Sequence, residues 1–354
     1  MISKVISSAD GSLSVRYKDV ENVCMTGSIY SLLQYLLLMD EETIKHKTCY
    51  MLGNAADKTI CSKLPAIHFD GKQTGTIWTP SRWFYKVYLR IIRDRKYPFL
   101  KSAKLYGLDS GFLSPLIGKR EYSLLSDGPL CMSQNMQIES PEYKKQLKKQ
   151  HSIAGKLEGL LYGNLSISTF GNNDQCIEFF MTEENNSVAF KDKPVHVKSL
   201  QSMWGESSES KRSFIKYVFD ITNNDVELLN SKKVLFLTQP MLKDRILTEK
   251  EYIDLLKKIF SNYNAPDILL KLHPRDNFNY KQYFPDIAIY GKPVNMQLLV
   301  LLGSRVEIAS TICSSSINSF PDSVEADWFG PNCHPKIKRF FGDTTKPNRI
   351  YKQM

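Results

Sequence analysis

Apolar and amphipathic segments alternate along the second half of the chain. Three short segments are almost continuously apolar, which is typical of strands buried on both faces of a parallel sheet. Between them lie segments whose apolar residues recur every three or four positions, as in amphipathic helices. In chain order the predicted elements read VLFLTQP, LTEKEYIDLLKKIFSNY, DILLKLHP, VNMQLLVLLGS and VEIASTICSSS. Strands that alternate with helices predict an α/β layer whose parallel strands end along one edge, where ligands bind.

The first half also carries strand and helix patterns. The segment ENVCMTGSIYSLLQYLLLM predicts a strand, a turn at TGS and then a helix. A second helix is predicted over 83–96, with Phe84, Val87 and Ile91 on its packed side and basic residues along another face. The segment EYSLLSDGP predicts a strand that ends in an Asp-Gly turn.

Composition describes a globular chain of two domains. The 354 residues are 42% hydrophobic and 24% charged, and this length is typical of two domains of ordinary size. We place the boundary near residue 225, which gives domains 1–225 and 226–354. The net charge of +10 favours anionic partners. Nucleic acid is not expected among them, because no zinc finger, RNA-recognition signature or basic zipper is present and the aromatic residues are dispersed through apolar runs.

The cysteines and the N-terminus indicate a cytoplasmic protein. Seven cysteines are scattered without a C-x-x-C pair, which argues against a disulfide framework and a zinc site. The first twenty residues contain no long apolar core, so no signal peptide is expected. The early apolar run IYSLLQYLLLM has eleven residues, too few to cross a bilayer. We therefore expect a soluble or peripherally attached protein.

Polar residues follow three of the predicted strands in the second half. The segments are TQPMLKDR, KLHPRD and CSSSINS. Each alone is weak: a second His-Pro pair at His334 follows no strand and is predicted to lie in a surface loop, and a serine triplet is often a helix cap. Because parallel strands end at one edge, the three segments together predict a shared ligand site.

These segments resemble the bacterial sialyltransferases of glycosyltransferase family 52, which extend lipooligosaccharide, capsule and O-antigen chains. The family pattern has a TQP strand end, an acidic EDG, an HP pair and a serine pair, and NVCMTGSIYSLLQYLLL resembles its opening strand and helix. The firm matches lie within 234–320. The resemblance implies an α/β protein of GT-B type, with two Rossmann-like domains facing a central cleft. Domain 1–225 would then lie on the acceptor side, and domain 226–354 would bind the CMP-sugar.

The resemblance also implies a reaction and the residues that perform it. Sialic acid would pass from CMP-sialic acid to a galactose-type hydroxyl by one inverting displacement, without a metal or other cofactor. His273 matches the HP histidine, which would give the departing phosphate a proton or a charged hydrogen bond. The serines would form an anion site, Lys271 and Arg275 would add positive charge, and the TQP segment would line the nucleotide pocket. The residues matched to donor binding are Thr238, Gln239, Pro240, Lys271, Pro274, Arg275, Ser314, Ser315 and Ser316.

Two carboxylates compete for the role of catalytic base. Asp244 aligns with the middle acid of EDG, although Lys243 and Arg245 flank it here. Asp127 lies in an SDG turn that resembles the acid-Asp-Gly turn of related sialyltransferase families, with Ser126 in place of the first acid. We prefer Asp244 and keep Asp127 as its rival.

Several alternatives stay open at this point. An HP pair with serines suits any leaving phosphate, so another nucleotide-activated sugar or a CDP-linked polyol is a second candidate donor. A metal-dependent transferase of the other fold normally carries an Asp-x-Asp pair at a strand end, and none is found in that context. The basic face of helix 83–96, the lysines of 144–149 and the basic tail are either solvated or contact anionic lipids near a lipid-linked acceptor. A homodimer is expected from the resemblance alone.

Overall fold

The computed structural model divides into two compact units, Met1–Asp220 and Ile221–Met354. The sequence placed this boundary near residue 225. The structure describes residues 4–53, 58–69, 80–109, 114–127, 173–183, 193–273, 275–292, 294–303 and 305–342, together with seven isolated positions between 144 and 171.

The first unit contains a seven-stranded sheet whose neighbouring strands all pair in parallel. A separate antiparallel ribbon is formed by β1 (Val5–Ser7) and β2 (Ser14–Arg16). The sheet strands are β3 (Asn22–Thr26), β4 (Thr48–Leu52), β5 (Ala66–His68), β6 (Lys104–Gly107), β7 (Tyr122–Leu125), β8 (Cys176–Met181) and β9 (Val195–Val197). Their order is β5-β4-β3-β6-β7-β8-β9. The chain thus starts in the interior of the sheet and grows outward in both directions, as in Rossmann-like folds.

The helices of the first unit follow the strands in sequence. They are α1 (Ile29–Leu38), α2 (Lys58–Ser62), α3 (Pro80–Lys96), α4 (Ser114–Ile117), α5 (Leu200–Glu206) and α6 (Glu209–Val218). The predicted strand, turn and helix at the start of the chain are confirmed as β3 and α1, and Ser28 caps α1 by accepting from two backbone N–H groups. Among the described side chains of α3, which exclude Phe84 and the rest of 80–86, Leu89 is buried, whereas Ile91 is 71% exposed. The prediction that Ile91 packs inward is therefore wrong, and Leu89 joins the core instead.

The second unit contains a five-stranded parallel sheet. Its strands are β10 (Val234–Leu237), β11 (Ile268–Lys271), β12 (Ala288–Tyr290), β13 (Ile308–Thr311) and β14 (Glu325–Trp328). Its helices are α7 (Asn223–Asn230), α8 (Glu249–Phe260), α9 (Tyr280–Tyr283), α10 (Met296–Leu301) and α11 (Pro335–Phe341). The strand order is β12-β11-β10-β13-β14. The predicted order of strands and helices in this half is confirmed, while β12, β14, α7, α9 and α11 were not predicted.

The register of the second sheet brings three strand ends level. Leu237, the last residue of β10, pairs with Lys271 at the end of β11 and with Thr311 at the end of β13. The strand order reverses at β10, and crevices at such reversals are where open α/β sheets bind ligands. The segments that follow β10, β11 and β13 therefore leave the sheet side by side.

Candidate active site

A cavity of about 400 Å³ lies among these segments of the second unit. Its wall combines the loops after β10, β11 and β13 with the end of α11. The lining residues are Gln239, Pro240, Met241, Asp244, Ile246, His273, Arg275, Cys313, Ser314, Ser316, Phe340 and Phe341. The volume falls within the range of small-molecule sites. Seven of the matched residues are thus brought together, namely Gln239, Pro240, Asp244, His273, Arg275, Ser314 and Ser316.

Hydrogen bonds fix the TQP segment after β10. Gln239 Oε1 accepts from the backbone N–H of Cys313 at 2.9 Å, which ties this loop to the loop after β13. Thr238 is buried, and its Oγ1 accepts from the backbone N–H of His273 at 3.0 Å. Thr238 does not line the cavity and acts behind it, whereas Gln239 and Pro240 form its surface.

His273 is half-buried at the cavity wall, with its ring held in one tautomer. Nδ1 accepts the backbone N–H of Arg275 at 3.1 Å, so Nε2 carries the proton of the neutral ring. Burial lowers the pKa of His273 below its ordinary value of 6.5, and the charge of Arg275 lowers it further. Near neutral pH the side chain is therefore an uncharged imidazole with Nε2–H as its donor.

Asp244 and Arg275 form a bidentate ion pair in the cavity wall. The guanidinium donates to both carboxylate oxygens, at 2.8 and 3.0 Å. The side chains are 25% and 56% exposed, respectively, so solvent screens much of the attraction. Because Arg275 engages both oxygens of Asp244, a hydroxyl group would have to share this carboxylate with the guanidinium to lose its proton to it.

The serine segment forms a tight turn at the cavity. Ser314 precedes the 3₁₀ turn Ser315–Ser319, and its Oγ accepts from the backbone N–H of Ser316 at 3.3 Å. Ser314 and Ser316 line the cavity. The Ser315 side chain and the whole of Pro274 lie outside the described residues. The serines thus include a capping residue and also present hydroxyl groups to the cavity.

Lys271 points its charge elsewhere. Its Nζ donates to the backbone oxygens of Leu272 at 2.9 Å and Lys292 at 3.1 Å, and it lies 5.8 Å from the centroid of the Tyr290 ring. Burial lowers its pKa to about 8. Lys271 does not line the cavity, and its ammonium group donates instead to the backbone oxygens of Leu272 and Lys292. This differs from the expectation that it adds charge beside the serines.

Asp127 lies in the first unit, two residues after the end of β7. Burial raises the pKa of its carboxyl group, and a hydrogen bond with Ser28 offsets part of that rise. A carboxylate with a raised pKa at the carboxyl edge of a parallel sheet suits a general base. The next residue of the SDG turn, Gly128, lies outside the described residues.

The sequence analysis did not predict the aromatic residues of the cavity wall. Phe340 and Phe341 end α11, inside a tail that was noted only for its basic charge. The signal that could have found them is the adjacent aromatic pair itself. An exposed aromatic surface suits a base or sugar ring, and Phe340 is 59% exposed.

Two further features concern metals and membranes. Within the described residues, no group of three or more His, Cys, Asp or Glu side chains could hold a metal ion. None of the described helices combines the length and the apolar character needed to span a bilayer. Six cysteines fall in the described ranges, and all six are free thiols.

Comparison with known proteins identifies the family. Glycosyltransferase family 52 matches residues 93–326, more than half of the chain. An uncharacterized protein of Haemophilus influenzae is 28% identical over 178 residues, which span 50% of this chain and 58% of that protein.

Solved structures agree on the fold. The 2,6-sialyltransferase of Vibrionaceae Photobacterium sp. JT-ISH-224, solved with CMP and lactose, superposes with a TM-score of 0.57 at 11% identity, over 87% of this chain and 71% of that one. The GT-B domain of the Photobacterium damselae sialyltransferase gives a TM-score of 0.52 at 13% identity, over 87% and 90%. The predicted family and fold are confirmed: the chain belongs to glycosyltransferase family 52 and has the GT-B fold.

Proposed function

We propose that this glycosyltransferase moves sialic acid from CMP-sialic acid to a galactose-type hydroxyl of a bacterial surface glycan. The observation that carries the proposal is the meeting of His273, Ser314 and Ser316 in one cavity at the carboxyl edge of the second sheet. Family membership supports the reaction class. The CMP and lactose bound to the Photobacterium sp. JT-ISH-224 enzyme support a cytidine donor and a galactoside acceptor.

The donor phosphate would bind to neutral hydrogen-bond donors. His273 Nε2–H and the hydroxyl groups of Ser314 and Ser316 would donate to this phosphate from the cavity wall, and Arg275 adds a positive charge beside them. Such groups stabilise the charge that develops on the departing phosphate. Because the ring is neutral, we propose that His273 stabilises leaving CMP by a hydrogen bond and not by full proton transfer.

Asp127 is the better candidate for the base. In the proposed step the acceptor oxygen attacks the anomeric carbon, the bond from that carbon to the phosphate oxygen breaks, and CMP leaves with the electron pair. The proton of the acceptor hydroxyl goes to a carboxylate. Asp244 is occupied by Arg275, whereas the pKa of Asp127 is raised by burial. We therefore reverse the order in which the sequence ranked the two.

Donor screening tests the proposed function. The purified protein should release CMP from CMP-sialic acid in the presence of lactose, and it should not release nucleotide at a comparable rate from UDP-sugars or CDP-polyols. If only another donor is turned over, the assignment of sialic acid as the transferred sugar is wrong. The assignment as a GT-B glycosyltransferase would still hold. EDTA should leave the rate unchanged, and strong inhibition would contradict a metal-independent reaction.

We further propose that the acceptor is lipid-linked and that the protein attaches peripherally to the cytoplasmic membrane face. On α3, Tyr88 is 50% and Ile91 is 71% exposed, and Arg95 and Lys96 are exposed beside them. Aromatic, aliphatic and basic side chains on one helix suit anionic lipid headgroups.

A vesicle assay tests the attachment. The protein should float with phosphatidylserine vesicles at moderate salt, and Ile91→Ser should weaken flotation more than Val5→Ser, which changes a residue that is 50% exposed on β1. If both variants float to the same extent, α3 is not the membrane-binding element. Homodimerisation stays a prediction that light scattering can test.

A further inference from the structure

A hydrogen-bonded network behind the cavity joins the loops after β10 and β11. Its centre is the half-buried carboxylate of Asp276. Oδ2 accepts from Thr238 Oγ1 at 2.7 Å and from the Tyr280 hydroxyl at 2.6 Å. Oδ1 accepts from the backbone N–H of Phe278 at 3.2 Å. Three donors converge on one carboxylate, and hydrogen bonds to charged acceptors are the stronger kind.

This network holds the backbone of His273 from two sides. The His273 N–H donates to Thr238 Oγ1 at 3.0 Å, and the single hydroxyl proton of Thr238 goes to Asp276. The Asp276 N–H donates to the carbonyl oxygen of His273 at 2.8 Å and closes the turn. Both peptide groups of His273 thus depend on Asp276, one directly and one through Thr238.

Two buried tyrosines complete the network at the rear. The Tyr280 hydroxyl gives its proton to Asp276, so the Tyr252 hydroxyl, 2.8 Å away, donates to Tyr280. The Tyr252 oxygen also lies 3.4 Å from the carbonyl oxygen of Gln239 in the TQP loop. Burial is the largest cause that raises the pKa of both tyrosines, which keeps both hydroxyl groups protonated as donors.

We propose that Asp276 is a positioning residue for the donor phosphate. It fixes the place of the His273 ring, and it does so without lining the cavity. The inference rests on the proposed function, because that function gives His273 its phosphate. Loss of Asp276 should therefore act through His273 and not add to its loss.

A double-mutant cycle on CMP affinity tests this role. Asp276→Asn keeps the shape, but its single amide oxygen cannot replace both carboxylate oxygens, so an N–H group faces at least one of the three donors. Isothermal titration with CMP should show about 10-fold weaker binding for Asp276→Asn and for His273→Ala. The double variant should bind CMP within about 3-fold of His273→Ala alone, since coupled residues are not additive.

A matched pair of tyrosine variants guards against a general loss of stability. Tyr280→Phe removes one hydroxyl that donates to Asp276, and Tyr283→Phe removes one from the same helix that donates to Glu249 at 2.6 Å. Tyr280→Phe should weaken CMP binding by about 3- to 10-fold, whereas Tyr283→Phe should leave it unchanged. If Asp276→Asn does not fold, Tyr280→Phe enters the cycle in its place.

The outcomes separate this inference from the proposed function. Additive losses in the double variant would mean that Asp276 acts independently of His273, and the positioning role would be overturned. Equal effects of Tyr280→Phe and Tyr283→Phe would overturn it as well. If instead the wild-type protein does not bind CMP, or His273→Ala binds it normally, the proposed function fails first.

Discussion

Two histidines of the chain precede a proline, and their rings make the same local hydrogen bond in different surroundings. At 273 the ring Nδ1 accepts the backbone N–H of Arg275 at 3.1 Å, and at 334 the ring Nδ1 accepts the backbone N–H of Lys336 at 3.2 Å. In both cases the ring accepts the backbone N–H of the residue two positions later in the sequence. This hydrogen bond therefore carries no catalytic information by itself.

The surroundings distinguish the two histidines. His273 follows the buried strand β11, next to the point where the strand order reverses, and it lines the cavity. His334 is the N-cap of α11 and is not among the residues that line the cavity. Only the first stands where two other strand ends meet, so the sheet around a motif decides its function.

The largest expected difference is in the activity of the two variants in which His273 or His334 is replaced by alanine. His273→Ala should lower kcat/KM by about 1000-fold, because donors to a leaving group are worth this much. His334→Ala should keep wild-type kcat/KM within about 2-fold. Both are measured as CMP release from CMP-sialic acid with lactose. Near-normal turnover of His273→Ala would break the comparison.

A second pair of variants extends the comparison to the carboxylates. Asp127→Asn should reduce kcat by about 100-fold or more, since a general base typically contributes this much. Asp244→Asn should cost about 10-fold or less, because it only releases Arg275. The reverse ranking in single-turnover rates would restore Asp244 as the base.

The pH profile sharpens the role of His273. Its pKa is lowered, so the neutral ring forms as pH rises, and the ionised form of Asp127 also increases with pH. We expect kcat/KM to rise with pH and to stay level from about pH 7 to about pH 9. A kcat/KM that falls as pH rises through the lowered pKa of His273, and is already low at pH 7, would mean that an imidazolium donates the proton.

His273→Gln offers a smaller and more specific test of the same point. A glutamine amide can place an N–H near the position of Nε2 but cannot transfer a proton. It should therefore recover activity to about 10-fold below wild type if a hydrogen bond suffices. Activity as low as that of His273→Ala would argue for proton transfer.

The smallest expected effect is on the stability of the protein when His334 is replaced. His334→Ala removes an N-cap of α11 and should cost about 1 kcal/mol of unfolding free energy. Chemical denaturation measures this directly. A much larger loss would show that the cap also supports the cavity wall at Phe341.

The elements around the site could be predicted, because period and apolar runs encode strands and helices. Strands β10, β11 and β13 and the polar segments after them were recognised in this way. Contacts between residues far apart in the sequence could not be predicted from these patterns. Arg275 pairs with Asp244, 31 positions away, and Lys271 donates to the backbone oxygen of Lys292. Such contacts depend on how loops leave the sheet, so the sequence did not show that Lys271 donates to backbone oxygens.

A crystal structure with CMP tests the central claim most directly. The phosphate should lie within hydrogen-bond distance of His273 Nε2 and of the hydroxyl groups of Ser314 and Ser316. CMP bound elsewhere in the second unit, with its phosphate away from these donors, would contradict the account.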